Sequence, residues 1–126
     1  MLLLIGLGCG TGAPGALRTD QTRLLPERGG GEEFFGWAVA GAGDTNGDGL
    51  DDVLIGAPFY EGQQRYAGAV YHYTGSSGLD APTVLLAGEQ DEFAYFGYDV
   101  DGAGDINGDG YADVVVGAPE YDDWDK

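Results

Sequence analysis

The chain contains one pattern twice, and this internal repeat limits the possible folds more than any other feature. The stretch GDTNGDGLDDVLIGAP at residues 43–58 returns 61 residues later as GDINGDGYADVVVGAP at residues 104–119. The similarity begins at Thr22 and Thr83, and close to half of the aligned positions are identical. A fixed period indicates stacked supersecondary units that share a core. We predict three segments: a tail at 1–21, a first repeat at 22–82 and a partial second repeat at 83–126.

Each repeat has the local pattern of strands. One unit contains four short runs rich in aliphatic and aromatic residues and bounded by Gly, Asp, Asn or Pro: FFGWAVAG, DDVLIGA, AGAVYHYT and PTVLLAG. No run keeps a helical period, and an interior glycine costs a helix ~1 kcal/mol. We predict an all-β chain whose unit is a blade of four antiparallel strands, as in β-propellers. The aromatic residues, among them Phe34, Phe35, Trp37, Tyr71 and Tyr73, are expected to build the core.

The charge balance excludes some partners. The sequence has 22 acidic and 5 basic residues, which gives a formal charge of −17. Nucleic acids and anionic membrane surfaces are bound by clustered Lys and Arg, so neither is an expected partner. The acidic excess favours a cation-binding or solvated extracellular surface.

The acidic residues of the repeat have the spacing of metal ligands. Oxygen-bearing side chains lie at loop positions 1, 3, 5 and 9, a backbone carbonyl is available at position 7, and the intervening glycines permit positive φ. Carboxylates this close repel one another without a cation, and Ca²⁺ tolerates irregular oxygen coordination better than Mg²⁺. We predict about two Ca²⁺ per chain, one in each loop. The predicted ligands are Asp44, Asn46, Asp48, the Leu50 carbonyl and Asp52, and then Asp105, Asn107, Asp109, the Tyr111 carbonyl and Asp113.

Other interpretations of the loops are weaker. Asp51 is replaced by Ala112 in the second copy, so we place it outside the ligand set. An EF-hand requires an acidic residue at position 12 and a following helix, whereas Ile55 and Val116 stand there within strands. The remaining alternative is a pair of acidic Asn-Gly and Asp-Gly turns without a metal.

The order of FG, an Asp-rich loop and GAP, at residues 35–58 and again at 96–119, resembles the FG-GAP repeat of integrin α-subunit β-propellers and their bacterial relatives. The resemblance implies that the calcium loop joins the innermost strand of a blade to the second, with the same ligand positions. Asn46 and Asn107 depart from the family, which often has Asp there. It further implies an extracellular module for adhesion or protein–protein interaction, stabilised by Ca²⁺.

The resemblance implies further blades as partners, because about three or more stacked units are needed for stability. Two possibilities stay open: the chain belongs to a longer propeller, which its incomplete second repeat favours, or several copies close a ring. We predict no enzymatic activity, because His72 alternates with tyrosines in a strand pattern and Ser76 and Ser77 lie in a GSSG turn. The alternative function is a non-catalytic accessory or architectural part of a secreted hydrolase. Loops 59–66 and 120–126 are the candidate contact surface for an extracellular protein ligand.

The N-terminus resembles an export signal. A short apolar run at residues 2–7 precedes small residues and Cys9, as in secretory and lipoprotein signals, although no Lys or Arg comes before it. The run is too short to span a membrane, which takes roughly 20 apolar residues. We predict a secreted or cell-surface protein, with lipid attachment at Cys9 as one route and a disordered tail as the alternative. A single cysteine excludes an intrachain disulfide.

Overall fold

The fold consists of strands and connecting loops. The computed structural model describes residues 2–8, 18–24, 34–62, 64–75, 82–85 and 92–121, and no helix occurs in these ranges. This confirms the predicted all-β class. The strands are β1 Leu2–Gly8, β2 Arg18–Leu24, β3 Ala38–Gly43, β4 Asp52–Ala57, β5 Ala69–Tyr73, β6 Thr83–Leu85, β7 Asp99–Gly104 and β8 Asp113–Gly117.

The first repeat forms one complete blade. Strands β3, β4, β5 and β6 lie side by side in chain order and pair antiparallel throughout. Strands β7 and β8 form the same antiparallel pair as β3 and β4, with the same register shift just before the connecting loop. The prediction of four-stranded antiparallel blades is therefore confirmed for the first repeat, and the second contributes a pair of strands equivalent to β3 and β4.

The sequence of the central strands explains their position. Strand β4, DVLIGA, is apolar on both faces and is buried along nearly all of its length, as is β5. Strand β3, AVAGAG, is built from small residues and alternates between half-buried and exposed positions until Ala42, which is buried. A strand that is covered on both faces requires a near-continuous apolar run, which β4 supplies.

Two apolar clusters lie on opposite faces of the blade. One contains Phe35, Ile55 and Tyr71 together with other buried residues of β4 and β5. The other joins Leu54 and Val70 to Val100 of β7, so it lies between the two repeats. The repeats therefore share a core, as the fixed period predicted.

The backbones of the two repeats approach closely at this interface. A Cβ atom placed on Gly56 would fall on the carbonyl of Gly97, closer than any real Cβ approaches another atom. Residues 93–96 also donate backbone hydrogen bonds to residues 65–67, at 2.8, 3.1 and 3.0 Å. Glycine is required where the main chains meet in this way.

The N-terminal segment forms a separate antiparallel pair, β1 with β2. The predicted tail at 1–21 thus contains β1 and the first residues of β2, and the domain boundaries themselves stay predictions. Cys9, Ser76, Ser77 and residues 122–126 lie outside the described residues. No helix in the described part of the chain is long and apolar enough to cross a membrane.

Candidate cation-binding loops and an aromatic surface

The two Asp-rich loops occupy equivalent places in the fold. One connects β3 to β4 and the other connects β7 to β8, each after a register shift at a glycine pair. Gly47 and Gly49 have φ of 79° and 85°, and Gly108 and Gly110 have φ of 78° and 93°. The glycines therefore adopt the left-handed backbone that the sequence predicted for them.

The carboxylate at position 1 organises each loop. Asp44 Oδ1 accepts hydrogen bonds from the backbone amides of Gly47 and Asp48 at 2.6 and 3.1 Å, and its Oδ2 accepts from Gly49 at 2.8 Å. Asp105 accepts from the three equivalent amides at 2.7, 3.0 and 2.9 Å. Hydrogen bonds to an ionised carboxylate are stronger than neutral ones, so this side chain holds the turn together.

Positions 3 and 5 extend the same arrangement. Asn46 Oδ1 accepts from the Asp48 amide, and Asp48 Oδ1 accepts from the Leu50 amide, both at 2.9 Å. Asn107 and Asp109 make the same contacts in the second loop, also at 2.9 Å. Asn and Asp commonly stabilise turns by accepting from the amide two residues on.

Position 9 differs between the loops. Asp52 is completely buried, and its carboxylate accepts from the backbone amide and hydroxyl of Thr45 and from the Gly75 amide at 2.7 Å. His72 Nε2 lies 3.5 Å from Asp52 Oδ2. Burial acts to raise the pKa of Asp52, but the hydrogen bonds from Thr45 and Gly75 and the nearby His72 together lower it.

Asp113 has a less protected environment. It is only half-buried, and it accepts from the Ile106 amide at 2.9 Å and from Asn107 Nδ2 at 3.3 Å. Ile106 stands where the first loop has Thr45, so no hydroxyl reaches this carboxylate. The sequence predicted equivalent ligands at position 9 and did not reveal this difference.

The predicted ligands suit a hard cation in chemical type. Four positions of each set lie in the loop and the fifth, Asp52 or Asp113, is the first residue of the following strand. Together they offer carboxylate, amide and carbonyl oxygens, which Ca²⁺ prefers. In the structure these side chains accept hydrogen bonds from backbone amides. Among the described residues, no three carboxylate, imidazole or thiol groups lie close enough to bind one metal ion. A carboxylate oxygen accepts more than one partner, so the amide bonds leave acceptor capacity for a cation.

A second candidate site is a group of exposed and half-buried rings that we call the aromatic surface. Phe34 packs on Phe59 with centroids 4.9 Å apart, Phe59 on Tyr95 at 5.4 Å, and Trp37 on Tyr98 at 5.4 Å. The aromatic surface comprises Phe34, Trp37, Phe59, Tyr66, Phe93, Tyr95 and Tyr98. Both repeats contribute to it.

The exposure of this surface corrects the predicted core. Phe34 is 56% exposed and Trp37 47% exposed, whereas Phe35, Tyr71 and Tyr73 are buried as expected. The reason is a turn at Phe34, whose φ is 46°, which sends Phe35 inward and leaves its neighbours outward. Strand alternation does not apply across such a turn.

Backbone strain is concentrated in the same place. Among the described residues, the only positive-φ residues other than glycine are Phe34, Tyr66, Phe93 and Tyr95, with φ of 46°, 52°, 62° and 52°. All four belong to the aromatic surface. Each such conformation costs on the order of 1–3 kcal/mol, and strained residues of this kind cluster at functional sites.

Comparison with known proteins gives the family of the chain. The FG-GAP repeat profile matches residues 35–73 and 96–126. The chain is 39% identical to integrin alpha-3 of Mus musculus over 86% of its length, and 40% identical to integrin alpha-6 of Homo sapiens over 92%. It spans only 12% and 11% of those two relatives. The matches extend over both repeats and their loops, and on this basis the chain belongs to the FG-GAP repeat family.

Proposed function

We propose that the chain is a calcium-binding extracellular β-propeller module for adhesion or protein–protein interaction. The observation that carries this proposal is the equivalence of the two loops. In each, the side chains at positions 1, 3, 5 and 9 accept the same six backbone hydrogen bonds, although positions 2 and 7 hold different residues. An arrangement that persists while its neighbours change supports a common ligand.

The cation would act on stability. Bound in each loop, Ca²⁺ would supply a positive charge between carboxylates that otherwise repel, and the loop would hold two strands together. Extracellular calcium modules bind at ~10⁻⁴–10⁻³ M. At ~1 mM free Ca²⁺, a site with a dissociation constant of ~0.1 mM adds about 1.4 kcal/mol to the free energy of unfolding.

A calcium titration of the chelator-treated full chain tests the assignment. We expect about two ions per chain by calorimetry, with Asp44→Ala and Asp105→Ala each removing one. Asp51→Ala is the matched control, since Asp51 lies in the same loop, is exposed and has Ala112 as its counterpart. Absence of uptake by the folded protein would leave the loops as acidic turns without a metal.

Binding, not catalysis, is the function that the described residues favour. His72 presents the same nitrogen, Nε2, to Thr45 Oγ1 at 2.9 Å and to Asp52. A hydrolytic triad requires the two ring nitrogens to face different partners, the nucleophile and the carboxylate. His72 therefore supports the loop and does not activate Thr45.

The aromatic surface is the proposed contact face for a protein ligand. It is exposed, strained and formed by both repeats, and Arg65 lies over Tyr66 and Phe93, 5.1 and 5.9 Å from the ring centroids. Tyr, Trp and Arg are enriched in binding hot spots. The contact loop that the sequence predicts at 59–66 contributes Phe59 and Tyr66 to this face.

The extracellular location is proposed from the relatives, whose names identify them as integrin alpha subunits. Millimolar calcium outside the cell matches the weak affinity expected of these loops. Further blades, in a longer parent chain or in other copies, remain the proposed structural partners. Lipid attachment at Cys9 stays a prediction from the sequence.

A further inference from the structure

The two Asp-rich loops touch each other across the interface between the repeats. The Ala112 amide donates a hydrogen bond to the Asp44 carbonyl oxygen, at 2.9 Å. Asp44 supplies the position 1 carboxylate of the first loop. Ala112 stands between Tyr111 and Asp113, which supply positions 7 and 9 of the second. One hydrogen bond thus joins the backbones of two ligand sets.

A side-chain contact reinforces this bond. The Tyr111 ring faces Gly47 so closely that a Cβ atom on Gly47 would lie 2.7 Å from the ring, and a Cβ on Gly43 would lie 2.9 Å from the Ala112 methyl. Gly47 also has a φ of 79°. The first loop therefore accommodates the second only because these positions carry no side chain.

We propose that the two loops bind divalent cations with positive cooperativity through this contact. The proposal rests on the calcium function proposed above. A cation in the second loop fixes the backbone from Tyr111 to Asp113 and so holds the Ala112 amide in place for Asp44. A cation in the first loop fixes Asp44 and does the same for Ala112. Because the two loops share one ordered contact, ordering one reduces the entropy that the other must lose.

The sign of the coupling separates this mechanism from simple electrostatics. Two cations repel each other, so charge alone makes the second ion bind more weakly, an effect that salt screens over about 8 Å at physiological ionic strength. A second ion that binds more tightly requires a structural link. Coupling between sites is reciprocal, so the effect must have the same size in both directions.

Nuclear magnetic resonance measures each loop separately. The Gly49 and Gly110 amides donate to Asp44 Oδ2 and Asp105 Oδ2, so their signals report the first and second loop. We expect Asp105→Asn, which weakens the second loop, to raise the Ca²⁺ midpoint at Gly49 about fivefold, the low end of typical coupling. Asp44→Asn should raise the midpoint at Gly110 by the same factor. Asp109→Asn repeats the test with a different ligand, and unchanged Gly49 signals without calcium verify that the first loop is intact.

A variant of the contact itself tests the route. Tyr111→Leu gives the second loop the residue that the first has at position 7 and keeps the carbonyl, while it removes the ring from Gly47. In this background Asp105→Asn should shift the Gly49 midpoint by less than about twofold, since the ring no longer links the loops and only the contacts of Ala112 with Asp44 and Gly43 remain. Val115→Ala is the control, because Val115 is an exposed residue of the same repeat that lies outside the loop and outside the aromatic surface. In that background the fivefold shift should persist.

The possible failures are distinguishable. If both amides respond to calcium but Asp105→Asn leaves the Gly49 midpoint unchanged or lowers it, the coupling is wrong and calcium binding stands. If Tyr111→Leu leaves the shift as large as it is in the Val115→Ala control, the loops are coupled but the proposed route through the Tyr111 ring is wrong. If neither amide responds at millimolar calcium, the calcium function is wrong and the coupling falls with it.

Discussion

The buried carboxylate of Asp52 gives the sharpest test of how the loops contribute to stability. Asp52→Asn keeps the shape of the side chain but replaces one acceptor oxygen by an NH₂ group. The three donors around it, the Thr45 amide, the Thr45 hydroxyl and the Gly75 amide, then face a donor on one side. A hydrogen bond to a charged group contributes about 1.5–3 kcal/mol, and a buried unsatisfied donor costs about 1–3 kcal/mol.

We therefore expect Asp52→Asn to lower the free energy of unfolding by about 2–4 kcal/mol. Asp113→Asn is the matched variant, since it changes the same loop position in a half-buried setting where water can replace lost partners. Asp113→Asn should lower the free energy of unfolding by less than about 1 kcal/mol. Urea unfolding in the presence of a chelator, followed by circular dichroism, measures both without any contribution from a bound cation. Equal losses for the two variants would refute the argument from burial.

The buried carboxylate of Asp52 also predicts a pH dependence. The pKa of folded Asp52 lies below its ordinary value of 3.8, so the ionised group stabilises the fold fully above that value. This stabilisation is lost as the pH falls from 3.8 through the lowered pKa of the folded state. Asp52→Asn should therefore lose less stability than the wild-type chain over this interval, as measured by urea unfolding at each pH.

Three other predictions follow from the packing and the loops. Leu54→Ala removes a fully buried side chain between the repeats and should lower the free energy of unfolding by about 2–5 kcal/mol. Val39→Ala, at a half-exposed position of β3, should lower it by less than about 1 kcal/mol, and urea unfolding measures both. Gly56→Ala places a methyl group against the Gly97 carbonyl and should lower the free energy of unfolding by about 3 kcal/mol or prevent folding. Gly41→Ala places its methyl group in open space and should change the free energy of unfolding by less than about 1 kcal/mol. Adding calcium to the chelator-treated chain at ~1 mM should raise the free energy of unfolding by about 1.4 kcal/mol for each occupied site. The gain should fall to less than half in Asp105→Ala, because the remaining site also loses its coupling to the second.

The strands were predictable because local pattern and tertiary environment agree. The run DVLIGA is apolar after its first residue, Asp52, and β4 lies inside a four-stranded sheet with both faces covered. The loop glycines were predictable for a similar reason, since residues with positive φ are placed by the local turn. Features that depend on a few consecutive residues were therefore evident from the sequence.

Features that depend on residues far away in the sequence were not evident from it. Asp52 and Asp113 have the same place in the repeat, yet His72 and Gly75, which lie on and after β5, contact only the former among the described residues. Nothing in the loop sequence indicates this difference. Similarly, the sequence predicts Phe34 and Trp37 as core residues, but the turn at Phe34 leaves both side chains exposed. A single positive φ changes which rings face outward.

Equivalent glycines of the two repeats show why the pattern recurs. Gly47 lies against the ring of Tyr111 in the following repeat, whereas its counterpart Gly108 has open space around it. On the other side, a Cβ on Gly102 would lie 2.5 Å from the Gly41 carbonyl oxygen of the preceding repeat, and Gly41 itself has open space. Glycines of each unit thus meet the neighbouring unit on one side, and the equivalent glycines of the other unit have open space. The open positions Gly41 and Gly108 therefore mark the two faces on which we expect further blades to stack, which is the physical reason that the repeat specifies an array.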